Sequence, residues 1–273
     1  MTEFEFQRFV TIGQYIPADT VIHRLDPRTR VVGALLLLLA VTLAPSLAGL
    51  LLALLLTVAL VRTARVPIGY ALRGVLAPLP FILFLALLQV MLSPASAAAP
   101  ALWDWGPLRI SMLGITNAAR VLLRFPALIL LITTSSACTS TSEMVRGLEA
   151  LLHPLTKLKL PVQDFVLMVQ VALRFLPLLA HEAERIAKSQ ASRGAVWGSG
   201  RGNPLRRAQQ ALPIFVPLFL VSLQRAESLA IAMDARGYRS FGERTSLVTL
   251  RYRAADVAAL LTCLAVSALI LLV

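Results

Sequence analysis

Long apolar stretches alternate with short charged ones along this chain, a pattern that predicts membrane-spanning helices. Residues 31–61 carry no charge, and as one straight helix they would be about 46 Å long, whereas about 20 residues cross one bilayer core. The pair Pro45-Ser46 interrupts the stretch, so we expect two short spans joined by a tight turn. One long helix kinked at the proline is the alternative. Further spans are predicted over residues 74–93, 112–136 and 254–273.

Composition places the chain in a membrane. Of its 273 residues 58% are hydrophobic and only 15% are charged, and the mean hydropathy is +0.77, far above that of a soluble domain. The net charge of +12 would also suit a nucleic-acid-binding protein. In a chain embedded in a lipid bilayer, however, a basic excess marks the cytoplasmic loops, so we expect no nucleic-acid partner.

The arginines predict the orientation of the chain. They cluster before the first span and after the second, at Arg8, Arg24, Arg28, Arg30, Arg62, Arg65 and Arg73. Because basic loops stay inside, residues 1–30 are expected to form a cytoplasmic N-terminal segment. Residues 31–136 then hold four transmembrane helices, and residues 254–273 form a fifth that ends outside. The location expected is a cell membrane.

Residues 137–253 are predicted to form a cytoplasmic or interfacial helical domain. They contain 16 Lys and Arg against 8 Asp and Glu. Ser140 and Glu143 have the spacing of a capping box, which predicts a helix from there to about His153. Two long helices follow, over Val162–Arg193 and Pro204–Arg236. The predicted fold is therefore all-α: a polytopic membrane protein with about five transmembrane helices and a coupling domain with two long crossing helices.

The two long helices carry an internal repeat. With an offset of 43 residues, five positions are identical: Ala183 and Ala226, Glu184 and Glu227, Ala187 and Ala230, Arg193 and Arg236, and Gly194 and Gly237. Ser192 and Ala235 are a near match. Both copies lie in the same basic domain, and both end in Arg-Gly.

Two interpretations of the Arg-Gly ends are open. Glycine suits the left-handed position after a helix, and arginine complements the negative end of the helix dipole, so each copy could simply end a helix. Two copies in one domain favour a paired docking surface instead, because an arginine at a helix end presents a rigid fork that suits a carboxylate. The alanines four residues apart lie on one helix face, where small side chains let two helices approach closely.

Motifs for catalysis are missing from the sequence. A phosphate-binding G-x-x-x-x-G-K-[ST] loop does not occur, and the glycine-rich run at 198–203 is not followed by Lys-Ser or Lys-Thr. His181-Glu182 resembles the start of a zinc-binding H-E-x-x-H helix, but Arg185 occupies the second histidine position. We therefore expect neither enzymatic activity, nor a cofactor, nor a bound metal.

Three segments carry a resemblance to a known family: VIHRLDPRTR, ALRFLPLLAHEAERIAKSQASRG and LPIFVPLFLVSLQRAESLAIAMDARGY. From about Pro17 to Tyr238 the chain resembles the transmembrane T component (EcfT/CbiQ family) of energy-coupling factor (ECF) transporters. The resemblance implies a non-catalytic scaffold of an ABC-type importer for vitamins or other micronutrients, metal ions included. It also implies two ABC-type ATPases and a membrane-embedded, substrate-binding S component as partners, and the cell membrane of a prokaryote as the location.

The same resemblance assigns roles to the repeat. It implies that Ser192-Arg193-Gly194 and Ala235-Arg236-Gly237 dock the two ATPases, with Ser192 standing where the pattern has alanine. It places Ala183, Glu184, Ala187, Ala226, Glu227 and Ala230 in the packing of the coupling helices. A stand-alone secondary transporter is the alternative function. It would need ionisable groups within the spans, where the sequence offers Arg120 and Arg124, and Asp256 at a span end expected to lie at the interface.

Overall fold

The computed structural model describes residues 16–92, 101–105, 108–158, 161–194, 204–238 and 250–273. Within these residues it contains nine α-helices and one antiparallel hairpin. The helices are α1 (Pro27–Leu43), α2 (Leu47–Thr63), α3 (Ile68–Leu76), α4 (Leu79–Leu92), α5 (Met112–Cys138), α6 (Thr141–Leu152), α7 (Val162–Ser192), α8 (Pro204–Ala235) and α9 (Ala254–Leu272). The hairpin strands are β1 (Ala101–Trp105) and β2 (Leu108–Ser111), and a short 3-10 helix covers His153–Leu158.

The uncharged stretch at the start of the chain forms two helices, as predicted. α1 ends at Leu43 and α2 begins at Leu47, with Pro45 and Ser46 in the turn. The backbone N–H of Gly49 donates to the Ser46 hydroxyl over 2.9 Å, which caps the N-terminus of α2. The alternative of one kinked helix is therefore wrong.

The predicted third span begins at the wrong residue. A separate short helix, α3, precedes it, and the chain bends by 46° between α3 and α4. Pro78 lies at the break, where it has no N–H to continue the α3 hydrogen-bond ladder.

The all-α prediction is confirmed except for the β1–β2 hairpin, in which Trp103 pairs with Ile110. Helix α5 confirms the predicted fourth span.

Among the described residues, four helices are long and apolar enough to cross a bilayer: α5, α7, Leu212–Ala235 of α8, and α9. The bent pair of α3 and α4 would be a fifth, and α2 is a shorter apolar helix. The predicted number of about five membrane helices is thus confirmed. The membership differs: α7 and α8, assigned from sequence to the coupling domain, pass on length and composition, whereas α1 and α2, predicted as the first two spans, do not.

The chain divides into two compact units. One spans residues 152–247 and contains α7 and α8; the other contains residues 13–151 and 248–273. Helix α6, the first helix of the predicted coupling domain, therefore lies in the same unit as the helices α1–α5 and α9. The domain bounds drawn from sequence stay a prediction.

Two arginines hold α1 and α5 together, one at each end of the contact between these helices. Arg30 of α1 donates through Nη1 to the carbonyl of Cys138, the last residue of α5, over 2.6 Å. Arg124 of α5 donates through Nη2 to the carbonyl of Ala44, the C-cap of α1, also over 2.6 Å. Neither helix has a basic residue in its own last turn. Each helix therefore supplies the cation that satisfies the other's C-terminal carbonyl and dipole.

Arg30 also connects α6 to this pair. Its Nη1 lies 3.1 Å from Oε2 of Glu143, and the arginine side chain is only 5% exposed. The predicted capping box is present: the Glu143 N–H donates to the Ser140 hydroxyl and the Ser140 N–H to the Glu143 carboxylate, each over 3.3 Å. Partial burial alone would raise the pKa of Glu143, but the hydrogen bond and charge of Arg30, with the Ser140 hydrogen bonds, hold that pKa below its ordinary value.

Asp256 ties the N-termini of α1 and α9 together. Its carboxylate accepts hydrogen bonds from the backbone N–H of Asp26 over 2.7 Å and of Arg253 over 2.8 Å. Asp26 is itself the N-cap of α1. Asp256 is 2% exposed and therefore buried within the protein, and its expected position at the membrane interface stays a prediction. Capping two helices explains its burial, because a buried carboxylate needs such donors.

The other end of α9 approaches α2 closely. A Cβ placed on Gly49 would lie 2.5 Å from the backbone oxygen of Ile270 and 3.0 Å from the Ser46 hydroxyl. This contact belongs to a buried apolar cluster that also includes Val41, Leu50 and Ala127. Glycine at position 49 therefore permits the backbone contact between α2 and α9.

We predict that Arg30→Ala destabilises the membrane unit. The change leaves the carbonyl of Cys138 without its donor, at a cost of about 1–3 kcal/mol for a buried unsatisfied group, and it leaves Glu143 unpaired. Thermal unfolding of the purified chain measures the effect. Arg24→Ala is the matched control, because the Arg24 and Asp19 side chains of its ion pair are 72% and 92% exposed; an equal loss of stability in both variants would contradict the assignment.

The Arg30–Glu143 contact also makes unfolding depend on pH. Because the folded state lowers the pKa of Glu143, the stability from this group is present above its unfolded pKa and is lost as the pH falls through the lower folded value. Glu143→Gln should remove this acid-sensitive part while Arg24→Ala keeps it.

We predict that Gly49→Ala destabilises the protein by about 1–3 kcal/mol, the usual cost of overpacking, because the new methyl group meets backbone rather than a movable side chain. Gly69→Ala is the control. A Cβ at Gly69 meets no atom within 4 Å, so the helix should gain about 0.5–1 kcal/mol from the alanine. Unfolding curves that rank the two variants the other way would rule out the close contact.

Candidate docking helices

The repeat lies on α7 and α8, which contain 31 and 32 residues. Prolines stand inside both helices, at Pro177 in α7 and at Pro213 and Pro217 in α8. Both helices nevertheless continue to the predicted ends. The predicted bounds, Val162–Arg193 and Pro204–Arg236, are confirmed to within one residue.

Each helix ends in the same backbone conformation. Gly194 and Gly237 both have left-handed backbone angles, with φ of +85° and +71°. The Gly194 N–H donates to the Ala191 carbonyl over 3.0 Å, and the Gly237 N–H to the Asp234 carbonyl over 2.8 Å. At α8 the Tyr238 N–H adds a 3.0 Å bond to the Met233 carbonyl, which completes a Schellman motif. Arg193 and Arg236 thus hold equivalent last positions.

The two arginine side chains are not used by their own helices. Arg193 and Arg236 are exposed, as are Ser192, Gly194, Ala235 and Gly237. Among the described residues neither guanidinium has a hydrogen bond or an ion pair. The left-handed glycines are sufficient to end the helices, so helix termination alone does not explain the arginines.

The contacts between α7 and α8 set their relative direction. Glu182 and Arg225 form an ion pair of 3.4 Å, and they are 43 residues apart, the same offset as the repeat. The Tyr238 hydroxyl donates to the Asp164 carboxylate over 3.2 Å. The end of α8 therefore lies near the start of α7, so the two helices are antiparallel. The equivalent residues Glu182 and Arg225 meet near the middle of the contact, as they would about a two-fold axis.

This arrangement sends the Arg-Gly ends in opposite directions. Arg193 lies 11 residues beyond Glu182, and Arg236 lies 11 residues beyond Arg225. At 1.5 Å per residue, each end is about 16 Å along its helix from the central ion pair. The two arginines are thus equivalent tips on opposite sides of one contact.

The small residues of the repeat differ in burial between the copies. Ala187 is fully buried and Ala183 half-buried on α7, whereas Ala226 and Ala230 on α8 are exposed. Glu184 forms an ion pair of 2.6 Å with Lys188 on its own helix, and Glu227 is exposed. The structure thus brings only the α7 alanines into a packed position, and a packing role for the α8 residues stays a prediction.

Sequence reasoning missed the Glu182–Arg225 ion pair, although a signal was present. The two residues occupy equivalent positions of the repeat and carry opposite charges. Equivalent positions with complementary charge are what two antiparallel copies need where they meet. The Tyr238–Asp164 bond had no comparable signal, since it joins residues that the repeat does not relate.

The structure defines a class of protein: a polytopic helical membrane protein that carries two long helices with matched, exposed arginine tips. Comparison with known proteins narrows this class. Residues 18–247 match the family model CbiQ, described as a cobalt transport protein. The chain is 38% identical over 249 residues to the energy-coupling factor transporter transmembrane protein EcfT of Heliobacterium modesticaldum, covering 91% of each chain.

Other relatives with the same name align over similar lengths. The protein from Ruminiclostridium cellulolyticum is 35% identical over 253 residues, which are 92% of this chain and 91% of the relative. The protein from Bacillus subtilis is 35% identical over 260 residues, which are 95% and 96% of the two chains. The chain therefore belongs to the CbiQ/EcfT family of transmembrane components of energy-coupling factor transporters.

We predict that Gly194→Ala frays the end of α7. A Cβ at this position meets no atom within 4 Å, so the cost comes only from the left-handed backbone and should be about 1–2 kcal/mol. Hydrogen exchange of the last-turn amides should speed up, while exchange in α5 stays unchanged. Gly194→Asn should restore part of the protection, because asparagine tolerates this conformation better. Unchanged exchange in Gly194→Ala would contradict the prediction.

Proposed function

We propose that this chain is the scaffold that couples two ABC-type ATPases to a substrate-binding S component in a micronutrient importer. The observation that supports this most is the pair of equivalent arginine tips, Arg193 and Arg236, exposed at left-handed glycines on opposite sides of one helix contact. Two equivalent tips suit two equivalent acceptors. A dimer of identical or closely similar ATPases offers such a pair.

Arginine chemistry indicates what each acceptor contains. A guanidinium at a helix end presents a planar fork that pairs with a carboxylate through two parallel hydrogen bonds. We therefore infer an acidic groove on each ATPase, one taking Ser192-Arg193-Gly194 and the other Ala235-Arg236-Gly237. The glycines hold the arginines at the tip, because without them the chain would continue past the groove.

Energy for transport comes, in this proposal, from the partners. The sequence has no phosphate-binding loop, so ATP hydrolysis is assigned to the ATPases and the chain is not an enzyme. A stand-alone secondary transporter is disfavoured on a different ground. Of the ionisable groups that such a transporter could use, Arg124 holds the C-cap carbonyl of α1 and Asp256 is occupied in capping two helices.

An apolar surface on α8 suits the S component or lipid. Large hydrophobic side chains are exposed on this helix, among them Leu212, Phe215, Val216, Phe219, Leu220 and Leu223. A continuous apolar surface of this kind marks a membrane or protein contact. We propose that it faces a membrane-embedded partner, with the basic N-terminal segment on the cytoplasmic side and vitamins or metal ions as the transported class.

The decisive test removes both arginine tips. If each arginine pairs with a desolvated carboxylate, Arg193→Ala or Arg236→Ala should weaken one ATPase contact by about 2–5 kcal/mol, which is roughly 30-fold to several thousandfold. The double variant should lose both ATPases on co-purification and abolish transport, while thermal unfolding of the isolated chain stays unchanged.

Arg185→Ala is the matched control for this test. Arg185 is exposed on α7 and lies eight residues before the tip, so its loss should leave assembly intact. Co-purification of both ATPases at wild-type yield with the double variant would contradict the proposal and leave the exposed arginines without a role.

A further inference from the structure

A second pair of arginines lies one turn apart on α5. Arg120 and Arg124 are four residues apart, so their side chains emerge from one face of the helix. Both are half-buried. Two like charges at this spacing repel each other. Charged side chains on a membrane helix are also energetically costly, and for that reason they mark functional sites. We therefore expect a bound anion that neutralises the two positive charges.

The described residues do not supply that anion. Arg120 donates through Nη1 to the Asn117 side chain over 2.8 Å, and Arg124 donates through Nη2 to the Ala44 carbonyl. Both acceptors are neutral. The Nε atom of each arginine is buried without an acceptor, and among the side chains that the structure describes, which do not include that of Asp104, no carboxylate forms an ion pair with either group. Each guanidinium therefore keeps several N–H donors for a ligand.

The depth of the pair follows from the helix lengths. Arg30 and Cys138 mark one end of the α1–α5 contact, and Ala44 and Arg124 mark the other. Fourteen residues separate the two contacts along each helix, which is about 21 Å. Arg120 lies a further turn away, so it is about 27 Å from the level of Arg30. The hydrocarbon core of a bilayer is about 30 Å thick. With Arg30 taken as one boundary of that core, Arg120 lies about 3 Å and Arg124 about 9 Å short of the other boundary, a distance that a long arginine side chain bridges by extending toward the headgroups.

We propose that Arg120 and Arg124 bind the phosphate of an anionic phospholipid in the outer leaflet. Phosphate oxygens accept hydrogen bonds from the forked N–H groups of two guanidiniums, and the headgroup phosphates lie within reach of the extended arginine side chains. Exposed apolar side chains further into the membrane on the same helix, Phe125 and Ile132, are available to the acyl chains. The assignment of the leaflet rests on the orientation proposed above, whereas the binding itself does not.

Lipid binding in this position would reinforce the α1–α5 contact. The Arg124 side chain that holds the Ala44 carbonyl would be fixed from its second side by the phosphate. The negative charge of the phosphate would also reduce the repulsion between the two guanidinium groups. The bound phospholipid therefore stabilises the end of α1 where it turns into α2.

The test measures phospholipid binding to the full chain, purified in detergent, by native mass spectrometry during titration with phosphatidylglycerol. Arg120→Gln should weaken binding about tenfold, which is about 1.4 kcal/mol, and Arg120→Lys should restore part of it. Arg62→Gln is the control, because Arg62 is an exposed arginine in the last turn of α2, at the opposite interface. Arg120 is the better probe than Arg124, since it does not hold the helix contact.

Three results would overturn the proposal. The first is an Arg120→Gln variant that binds phosphatidylglycerol as tightly as the wild type. The second is an Arg62→Gln variant whose binding is weakened as much as that of Arg120→Gln. The third is a rise in unfolding temperature with inorganic phosphate alone that equals the rise with phosphatidylglycerol, since this would identify a site for a soluble anion. The experiment needs no ATPase, so its outcome is independent of the roles of Arg193 and Arg236.

Discussion

The membrane unit depends on the reciprocal contacts of two arginines with the C-termini of two helices. Arg30 of α1 holds the last carbonyl of α5, and Arg124 of α5 holds the C-cap carbonyl of α1. Because the two contacts are the same number of residues apart on both helices, they fix the antiparallel register of α1 against α5. A shift of one turn would leave two buried carbonyls unsatisfied, and unsatisfied polar groups are especially costly away from water.

Other elements are positioned by the same end of this contact. Glu143 pairs with Arg30 and caps α6, so the start of α6 is placed relative to α1. Asp256 joins the N-terminus of α9 to Asp26, four residues before Arg30. The turn before α1 is therefore a polar junction where α1, α5, α6 and α9 meet. Apolar packing, including the close contact of Gly49 with Ile270, holds the opposite end of α9.

The candidate docking helices α7 and α8 obey a different constraint, which is approximate two-fold symmetry. Two copies of one helical sequence meet at equivalent positions, Glu182 and Arg225, and diverge toward equivalent tips. Such an arrangement lets one chain contact two similar partners with similar chemistry. This geometry supports the proposed scaffold function, and the opposite charges of Glu182 and Arg225 hold the two copies together at the centre.

The sequence by itself determined most of the helices, the repeat and the family, because these depend on local patterns. The uncharged stretch broken at Pro45, the capping box at Ser140 and the paired Arg-Gly ends are all set by neighbouring residues. Only the tertiary structure decided the roles of Arg30, Arg124 and Asp256, whose partners lie 108, 80 and 230 residues away. Hydrophobic periodicity shows which segments are buried in lipid, but not which buried carbonyl a distant arginine will satisfy, because that depends on how the helices pack.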